Sequence, residues 1–392
     1  MMIGIVFWVS VGVVFYVYAG YPLIVAALSR LWPRREFPAD HLPPLTLIIA
    51  ACDEESVIAT KIEESLRLDY PPDRLQILIA ADGSRDATAE IASHFDGVEV
   101  MWQPERRGKM AALNRAMERA RGEVVVFSDA NCRYRHDALR EMAAPFADPT
   151  VGVVSGRKMV AASDGLGYSE GLYWRYESAI RRAETRLGCC LGVNGEIFAI
   201  RRSLFSPAPA WVVNDDTWMA MHVIKAGYRV AYNDRAVSTE EVSETATEEK
   251  ERRTRMIAGN LKQYSRPSAF PWTRPVVLWQ LVSHKLARRL VPFGMLGALL
   301  AALAAVAVQP EGAGWGAVAA LAPPFGALAL GAQTAFYLAA AAGDRLGKVA
   351  YVPRFLVDSN VAQVRGILRH LRGGQSPVWT KASRRSSDRS RA

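Results

Sequence analysis

Four groups of carboxylates are the residues of this chain whose types and positions could do chemistry. Gln76-Ile77-Leu78-Ile79-Ala80 runs into Ala81-Asp82-Gly83-Ser84, and Val124-Val125-Val126-Phe127 runs into Ser128-Asp129-Ala130-Asn131. Asp53-Glu54-Glu55 follows the apolar Leu45-Thr46-Leu47-Ile48-Ile49-Ala50, and Asp215-Asp216 opens a later segment with helical spacing. Open α/β sheets bind ligands outside the carboxyl ends of their strands, so Asp82 and Asp129 stand where a nucleotide would lie. Carboxylates so placed can hold a nucleotide, hold a cation and deprotonate a hydroxyl.

Taken one at a time, the groups have plainer readings. An acidic run before a helix makes a favourable helix N-terminus, which covers Asp53-Glu54-Glu55 and Asp215-Asp216. Asp-Gly-Ser is a common turn. Asp129-Ala130-Asn131 is more specific, because a carboxylate at the buried end of a fully apolar strand carries a cost that needs a reason. A divalent cation, Mg2+ or Mn2+, held by the hard oxygens of Asp129 and Asn131 is one such reason. Arg252, Arg253 and Arg255 follow an acidic stretch over 240–251, a pattern common on solvated helix faces.

The elements that must position these groups alternate between strand-like and helix-like from Leu45 to about Tyr232, the signature of a largely parallel α/β sheet. Helices are expected over 55–68, 87–95, 110–121 and 217–226, the last ended by Gly227, with further strands at 98–101 and 151–154. Tyr168 to Leu187 reads as a helix rich in aromatic and basic residues, suited to facing an acceptor.

Half of the 392 residues are hydrophobic, and they are unevenly placed. Met1 to Leu28 contains no charged residue and ends at Arg30, Arg34 and Arg35. That is long enough to cross a bilayer, which takes roughly 20 residues, and lacks the layout of a cleaved signal. Two more apolar stretches, 290–308 and 315–343, flank the short turn Gln309-Pro310-Glu311-Gly312, and Pro323-Pro324 should break or kink the second. Basic flanks at Arg30, Lys285, Arg288, Arg289, Arg345 and Lys348 place the polar middle of the chain in the cytoplasm of a multi-pass inner-membrane protein. The expected organisation is a membrane helix over 1–29, a catalytic domain over 44–265, and an interfacial segment over 266–289. The two further spans follow, then an amphipathic segment over 344–378 and a basic disordered tail over 379–392. Segments 267–279 and 351–371 suit either the membrane interface or packing on the domain. Much of the net charge of +9, a net +4, comes from that tail, and it needs no nucleic acid to explain it. Four dispersed cysteines and six dispersed histidines show neither a disulfide framework nor metal-ligand spacing.

In their order along the chain these motifs resemble the family 2 glycosyltransferases of the GT-A type, in the membrane-embedded, polysaccharide-synthase-like branch. Ala50-Ala51-Cys52-Asp53-Glu54-Glu55 is similar to the first-strand motif, where Asn-Glu is more usual than Asp53-Glu54, and Ala81-Asp82-Gly83-Ser84 with Asp86 to the nucleotide-contacting turn. Gly108-Lys109 with Ala112-Leu113-Asn114 resembles the Gly-Lys helix that approaches the donor. Asp129-Ala130-Asn131 stands at the DxD position, Gly192-Val193-Asn194-Gly195 at the acceptor-side loop, Asp215-Asp216 at the ED motif and Arg252-Arg253-Thr254-Arg255-Met256 at the (Q/R)xxRW motif. Ser283-His284-Lys285 resembles one bacterial subgroup. Asn131 replaces the usual second aspartate, and Met256 the tryptophan.

The resemblance implies an α/β fold, a Rossmann-like GT-A domain with one N-terminal and two C-terminal transmembrane helices. It implies inverting transfer of a sugar from a nucleotide-diphosphate donor, most simply UDP-linked, to an acceptor hydroxyl. Asp53, Glu54, Asp82, Lys109, Asp129, Arg252 and Arg255 would bind the donor; Asp129 and Asn131 the metal; Gly192, Asn194 and Gly195 would face the acceptor. Asp216, beside Asp215, would be the general base. The acceptor is a growing polysaccharide or another membrane-proximal hydroxyl. The alternatives are a lipid such as a polyprenyl phosphate or a ceramide-like molecule, or a silent subunit serving synthase or export partners.

Overall fold

The computed structural model describes residues 1–33, 36–38, 40–161, 165–241 and 246–373. Arg34, Arg35 and the basic tail over 379–392 lie outside the described residues.

Runs of β-branched and aliphatic residues form the strands that organise the middle of the chain. β1 (Leu45–Ala51), β2 (Leu75–Asp82), β3 (Val98–Gln103) and β4 (Val124–Asp129) are parallel neighbours in the order β3-β2-β1-β4. Their carboxyl ends therefore open on one edge. Beyond β4 the sheet continues through β7 (Ile197–Arg201), β6 (Val151–Ala161), β8 (Arg229–Glu241) and β5 (Cys132–Tyr134), giving eight strands. β7 runs antiparallel to both β4 and β6, whereas β6 and β8 are parallel to each other. The sheet is thus mixed, with its parallel half carrying the strand ends noted in the sequence.

Successive residues of a strand point to opposite faces, and both faces of this sheet are covered. Ile48, Leu78, Val125 and Phe127 pack on one side, under helices that include α4 (Lys109–Arg119) and α7 (Asp215–Lys225). Leu47, Ile49, Val124 and Val126 pack on the other, under α2 (Ile58–Leu66) and α5 (Ala138–Ala143). A short helix, α3 (Thr88–Ser93), links β2 to β3.

The first helix of the domain starts three residues later than the acidic run suggests, because that run braces a loop. Asp53 has φ of 56°. The backbone N–H groups of Asp53, Glu54 and Glu55 donate to Ser84 Oγ (3.2 Å), Thr88 Oγ1 (2.7 Å) and Asp86 Oδ2 (3.0 Å). A helix N-terminus is therefore excluded for these three residues, which tie the end of β1 to the loop after β2.

Three helices are long and apolar enough to cross a membrane: α1 (Met2–Ser29), α9 (Pro275–Val308) and α11 (Phe325–Ala342). α1 and α9 pack closely, since a Cβ on Gly297 would lie 2.6 Å from Ser10 Oγ, and Ala298, Ala301, Ala302 and Ala305 fill the seam. Small residues of this kind let membrane helices approach. Leu296, Leu300, Leu328 and Leu338 face outward. α9 begins at Pro275 and runs unbroken into the span expected to start near 290. The stretch 315–343 is divided instead: α10 (Trp315–Ala320) ends at Leu321, and α11 starts after Pro323-Pro324. The last helix, α12 (Lys348–Leu371), packs on α8 (Ala246–Tyr264), where Lys250 pairs with Asp358 (2.8 Å) and Gly366 meets Ile257. Between β6 and β7 lies the long helix α6 (Gly165–Leu187), which joins the domain to the membrane helices.

Candidate active site

Asp82, Lys109, Asp129, Asp215 and Asp216 reach one place because four separate elements end there. The carboxylate of Asp82, buried at the end of β2, accepts the N–H groups of Arg107 (3.0 Å) and Gly108 (2.7 Å). It thereby fixes the turn into α4, where Gly108 has φ of 92°, a value that suits glycine. α4 then begins with Lys109. Its ammonium lies 2.8 Å from Asp129 Oδ1 and 3.2 Å from Asp215 Oδ2, and donates to the Gly195 carbonyl at 3.3 Å. Burial opposes that charge, but the Asp129 and Asp215 carboxylates outweigh it and raise the pKa of Lys109 above its ordinary value. One cation thus joins the DxD-like position, the acidic pair and the Gly192–Gly195 loop.

Asp215 and Asp216 open α7, both largely buried. Asp216 Oδ1 accepts the Thr217 N–H at 2.6 Å and the Thr217 hydroxyl at 3.2 Å, and Asp216 packs close to Gly195. Burial, then the neighbouring Asp215 charge, push the Asp216 carboxyl up to about 6. A carboxylate titrating there is ionised at neutral pH yet basic enough to take a proton.

These groups line a cavity of about 420 Å³ over the strand ends, together with Glu54, Asn131, Arg252 and Arg255. Arg252 is held by two bonds to Glu249, at 2.8 and 2.9 Å, and Arg253 by a third at 2.6 Å. Arg255 has its pKa lowered by burial and by Arg252. Asn131 Oδ1 is buried with no hydrogen-bond partner among the described residues, next to Asp129. No group of three or more His, Cys, Asp or Glu disposed to hold a metal alone occurs among the described residues. That combination fits a cation whose remaining ligands are phosphate oxygens, since Mg2+ commonly takes only one or two carboxylates from protein.

A second and larger cavity, of about 710 Å³, lies on the other side of Asp216. Gly195, Glu196, Asp216, Arg252 and Met256 line both. Its walls come from α1, α6, α8, α9 and α12, so it reaches from the acidic pair to the membrane helices. Asn194 lines it, accepting a bond from Arg181 (2.7 Å) and donating to the Gly156 carbonyl (2.7 Å). Gly192 lies behind; a Cβ there would sit 2.4 Å from Arg181 Nε, so only glycine leaves that guanidinium its place. Asp53 lines neither cavity. Its carboxylate accepts the Arg85 N–H at 2.9 Å and lies 3.5 Å from Arg106.

The sequence did not point to Trp174, Glu177, Arg181, Glu184 or Glu196. Glu177 pairs with Arg288 at 2.6 Å, and Glu184 accepts bonds from Tyr21 (2.5 Å) and His284 (2.7 Å). The available signal was the unusual charge of 168–187 beside Ser283-His284-Lys285, buried partners that meet only in the fold.

The family model described as glycosyl transferase family 2 matches residues 46–206. Among curated relatives, the probable glycosyltransferase YdaM of Bacillus subtilis is 27% identical over 245 residues, covering 56% of this chain and 56% of that one. The beta-monoglucosyldiacylglycerol synthase of Synechocystis is 34% identical over 125 residues, covering 30% of this chain and 26% of that one. The chain spans about half, or less, of the length of the curated relatives it matches. Among solved structures, the mannosyltransferase PcManGT of Pyrobaculum calidifontis, in complex with GDP-Man and Mn2+, superposes with a TM-score of 0.68. It is 22% identical and covers 93% of this chain and 99% of its own, a likeness of fold.

Proposed function

We propose that this chain, whose residues 46–206 match the model of glycosyl transferase family 2, carries out membrane-bound, inverting sugar transfer from a nucleotide-diphosphate donor, UDP-linked, to the hydroxyl of a membrane-proximal acceptor. The observation that carries this reading is Asp216 on the wall common to two cavities, one polar over the strand ends, the other reaching the membrane helices. A donor in the first and an acceptor in the second would bring the hydroxyl to the face of the anomeric carbon opposite the leaving diphosphate, as inversion requires.

In this reading Glu54 and Asp82 receive the base and ribose, carboxylates being acceptors for uracil N–H and ribose hydroxyls. Asp53 acts through Arg85 and Arg106, holding the loop rather than touching the nucleotide. Lys109 and Arg255 face the diphosphate and offset the negative charge that grows on it as the glycosidic bond breaks. Asp129 and Asn131 would hold a divalent cation, Mg2+ or Mn2+, which supplies further charge neutralisation on the diphosphate oxygens. Asp216 accepts the acceptor's proton while its oxygen attacks the anomeric carbon. Gly192, Asn194 and Gly195 shape the acceptor side. The basic residues Arg30, Lys285, Arg288, Arg289, Arg345 and Lys348 support a cytoplasmic catalytic domain at an inner membrane.

A lipid acceptor receiving a single sugar is favoured over a growing polysaccharide by one observation, the apolar side chains of α1 and α12 within the larger cavity. The test is purified full-length protein in detergent with a panel of nucleotide sugars and Mg2+ or Mn2+. Metal-dependent nucleotide release with an organic-extractable glycolipid is expected. A high-molecular-weight polymer would refute the lipid acceptor, and no turnover with any donor would leave only a silent subunit.

A further inference from the structure

Among the described residues, three polar side chains line both cavities: Asp216, Arg252 and Glu196. Asp216 is the proposed base, and Arg252 is held by Glu249. Glu196 is the other carboxylate on the passage between the two spaces, and the transfer chemistry leaves it without a task. It is 7% exposed and uses its two oxygens unequally. Oε2 accepts from Lys158 Nζ at 2.6 Å, whereas Oε1 is buried with no hydrogen-bond partner among the described residues.

The backbone here is fastened from the side of the smaller cavity. The Gly195 carbonyl accepts from Lys109 (3.3 Å), and the Glu196 carbonyl accepts from the hydroxyl of Tyr134 (2.8 Å). Tyr134 belongs to β5, the strand that starts directly after Asn131. Lys158 of β6 is shared with Glu240 of β8. That cation holds Oε2 in place and leaves Oε1 to another group.

A buried carboxylate oxygen without a partner is costly, and the cost is recovered when a hydrogen-bond donor arrives. A carboxylate only accepts, so the arriving group must carry an O–H or N–H. The position of Glu196 narrows which molecule brings it. With the diphosphate over the strand ends and the anomeric carbon at Asp216, the sugar ring spans the passage, and its hydroxyls are the donors at hand. We infer that Glu196 reads the transferred sugar, its Oε1 accepting a hydrogen bond from one ring hydroxyl. A sugar that lacks this hydroxyl, or presents it in the opposite configuration, leaves the oxygen orphaned and is disfavoured. This rests on the reading of the smaller cavity as the donor site, and adds a residue that selects among donors sharing one nucleotide.

Full-length protein in detergent with Mn2+ is titrated calorimetrically with UDP, GDP, UDP-glucose, UDP-galactose, UDP-N-acetylglucosamine and GDP-mannose. The quantity read is the affinity of each nucleotide sugar relative to its own diphosphate, which isolates the sugar from the nucleotide. For the sugar with the highest ratio, Glu196→Ala should lower that ratio about tenfold, the usual worth of a hydrogen bond to a charged group. Glu196→Gln should keep part of it, because an amide oxygen still accepts. Diphosphate affinity should hold in both variants, since Lys158 retains Glu240. Among deoxy analogues of the preferred sugar, one should bind native protein about tenfold more weakly and differ little from its parent against Glu196→Ala. An unchanged ratio in Glu196→Ala, with diphosphate binding intact, overturns the assignment of Glu196 alone. Joint loss of diphosphate and sugar binding also overturns it, by making Glu196 a structural carboxylate. Failure of every diphosphate to bind native protein would instead overturn the donor reading beneath it.

Discussion

Replacing Asp216 by Asn should separate catalysis from stability, and the structure gives a size for both effects. Burial and the Asp215 charge raise the carboxyl from 3.8 to about 6. That interval is roughly two pH units, each worth about 1.4 kcal/mol, so ionised Asp216 costs the folded protein ~3 kcal/mol at neutral pH. For an acid whose folded pKa is raised, the penalty is absent below the unfolded value, grows between 3.8 and about 6, and is complete above it. Asn fills the same space without the charge. Thermal unfolding of Asp216→Asn in detergent should therefore shift upward at pH 7.5, and much less at pH 4. Transfer should fall about 10²–10⁴-fold, the usual contribution of a general base. In the native enzyme, turnover should fall about tenfold per pH unit below the Asp216 pKa. A variant that loses activity and stability together would refute the reasoning, because Asp216 would then be a structural carboxylate. Near-normal turnover would refute the base assignment.

Three other substitutions test the surroundings. Lys109→Met leaves Asp129 and Asp215 facing each other without a cation, which should lower stability by ~3 kcal/mol and weaken UDP binding in calorimetry. Gly192→Ala places a Cβ 2.4 Å from Arg181 Nε; the forced movement should cost about 1–3 kcal/mol, seen as a lower unfolding temperature. Asn131→Asp adds a second carboxylate to the metal position, so half-maximal UDP binding should need about tenfold less Mn2+. Chelation should remove UDP binding from both proteins, and an unchanged Mn2+ dependence would dissociate Asn131 from the metal.

The parallel half of the sheet was legible because β1, β2 and β4 are largely apolar runs with an aspartate at or within two residues of the strand end. Of the other half, only the start of β6 at 151–154 was. β5 has three residues and β7 five, too short for a periodicity, and β7 is inserted between strands distant in sequence. Asp82, Lys109, Asp129, Asp215 and Asp216 were each named from the chain, but the bridging of Asp129 and Asp215 by Lys109 is a tertiary fact with no local pattern. Asp53 was expected as a nucleotide contact, and the structure shows in addition that its backbone and carboxylate brace a loop, which no local pattern announces. Lys285, Arg288 and Arg289 read as markers of membrane orientation, and their place in the lining of the larger cavity is visible only in the fold, where α1, α6 and α12 enclose them. Hydropathy locates a span; it does not say which of its flanking charges turn inward.

The two cavities are completed at different points of synthesis. Every residue lining the smaller one has been synthesised once Met256 is made, whereas the larger one awaits residues up to Gln363. A nascent chain thus holds every lining residue of the smaller cavity, the proposed nucleotide pocket, while the opposite side of Asp216 still lacks part of its wall. Nucleotide sugar bound then would meet solvent instead of substrate. α9 and α12 must both be docked before that side is closed, so it is the packing of these helices, rather than the folding of the sheet, that completes the second cavity.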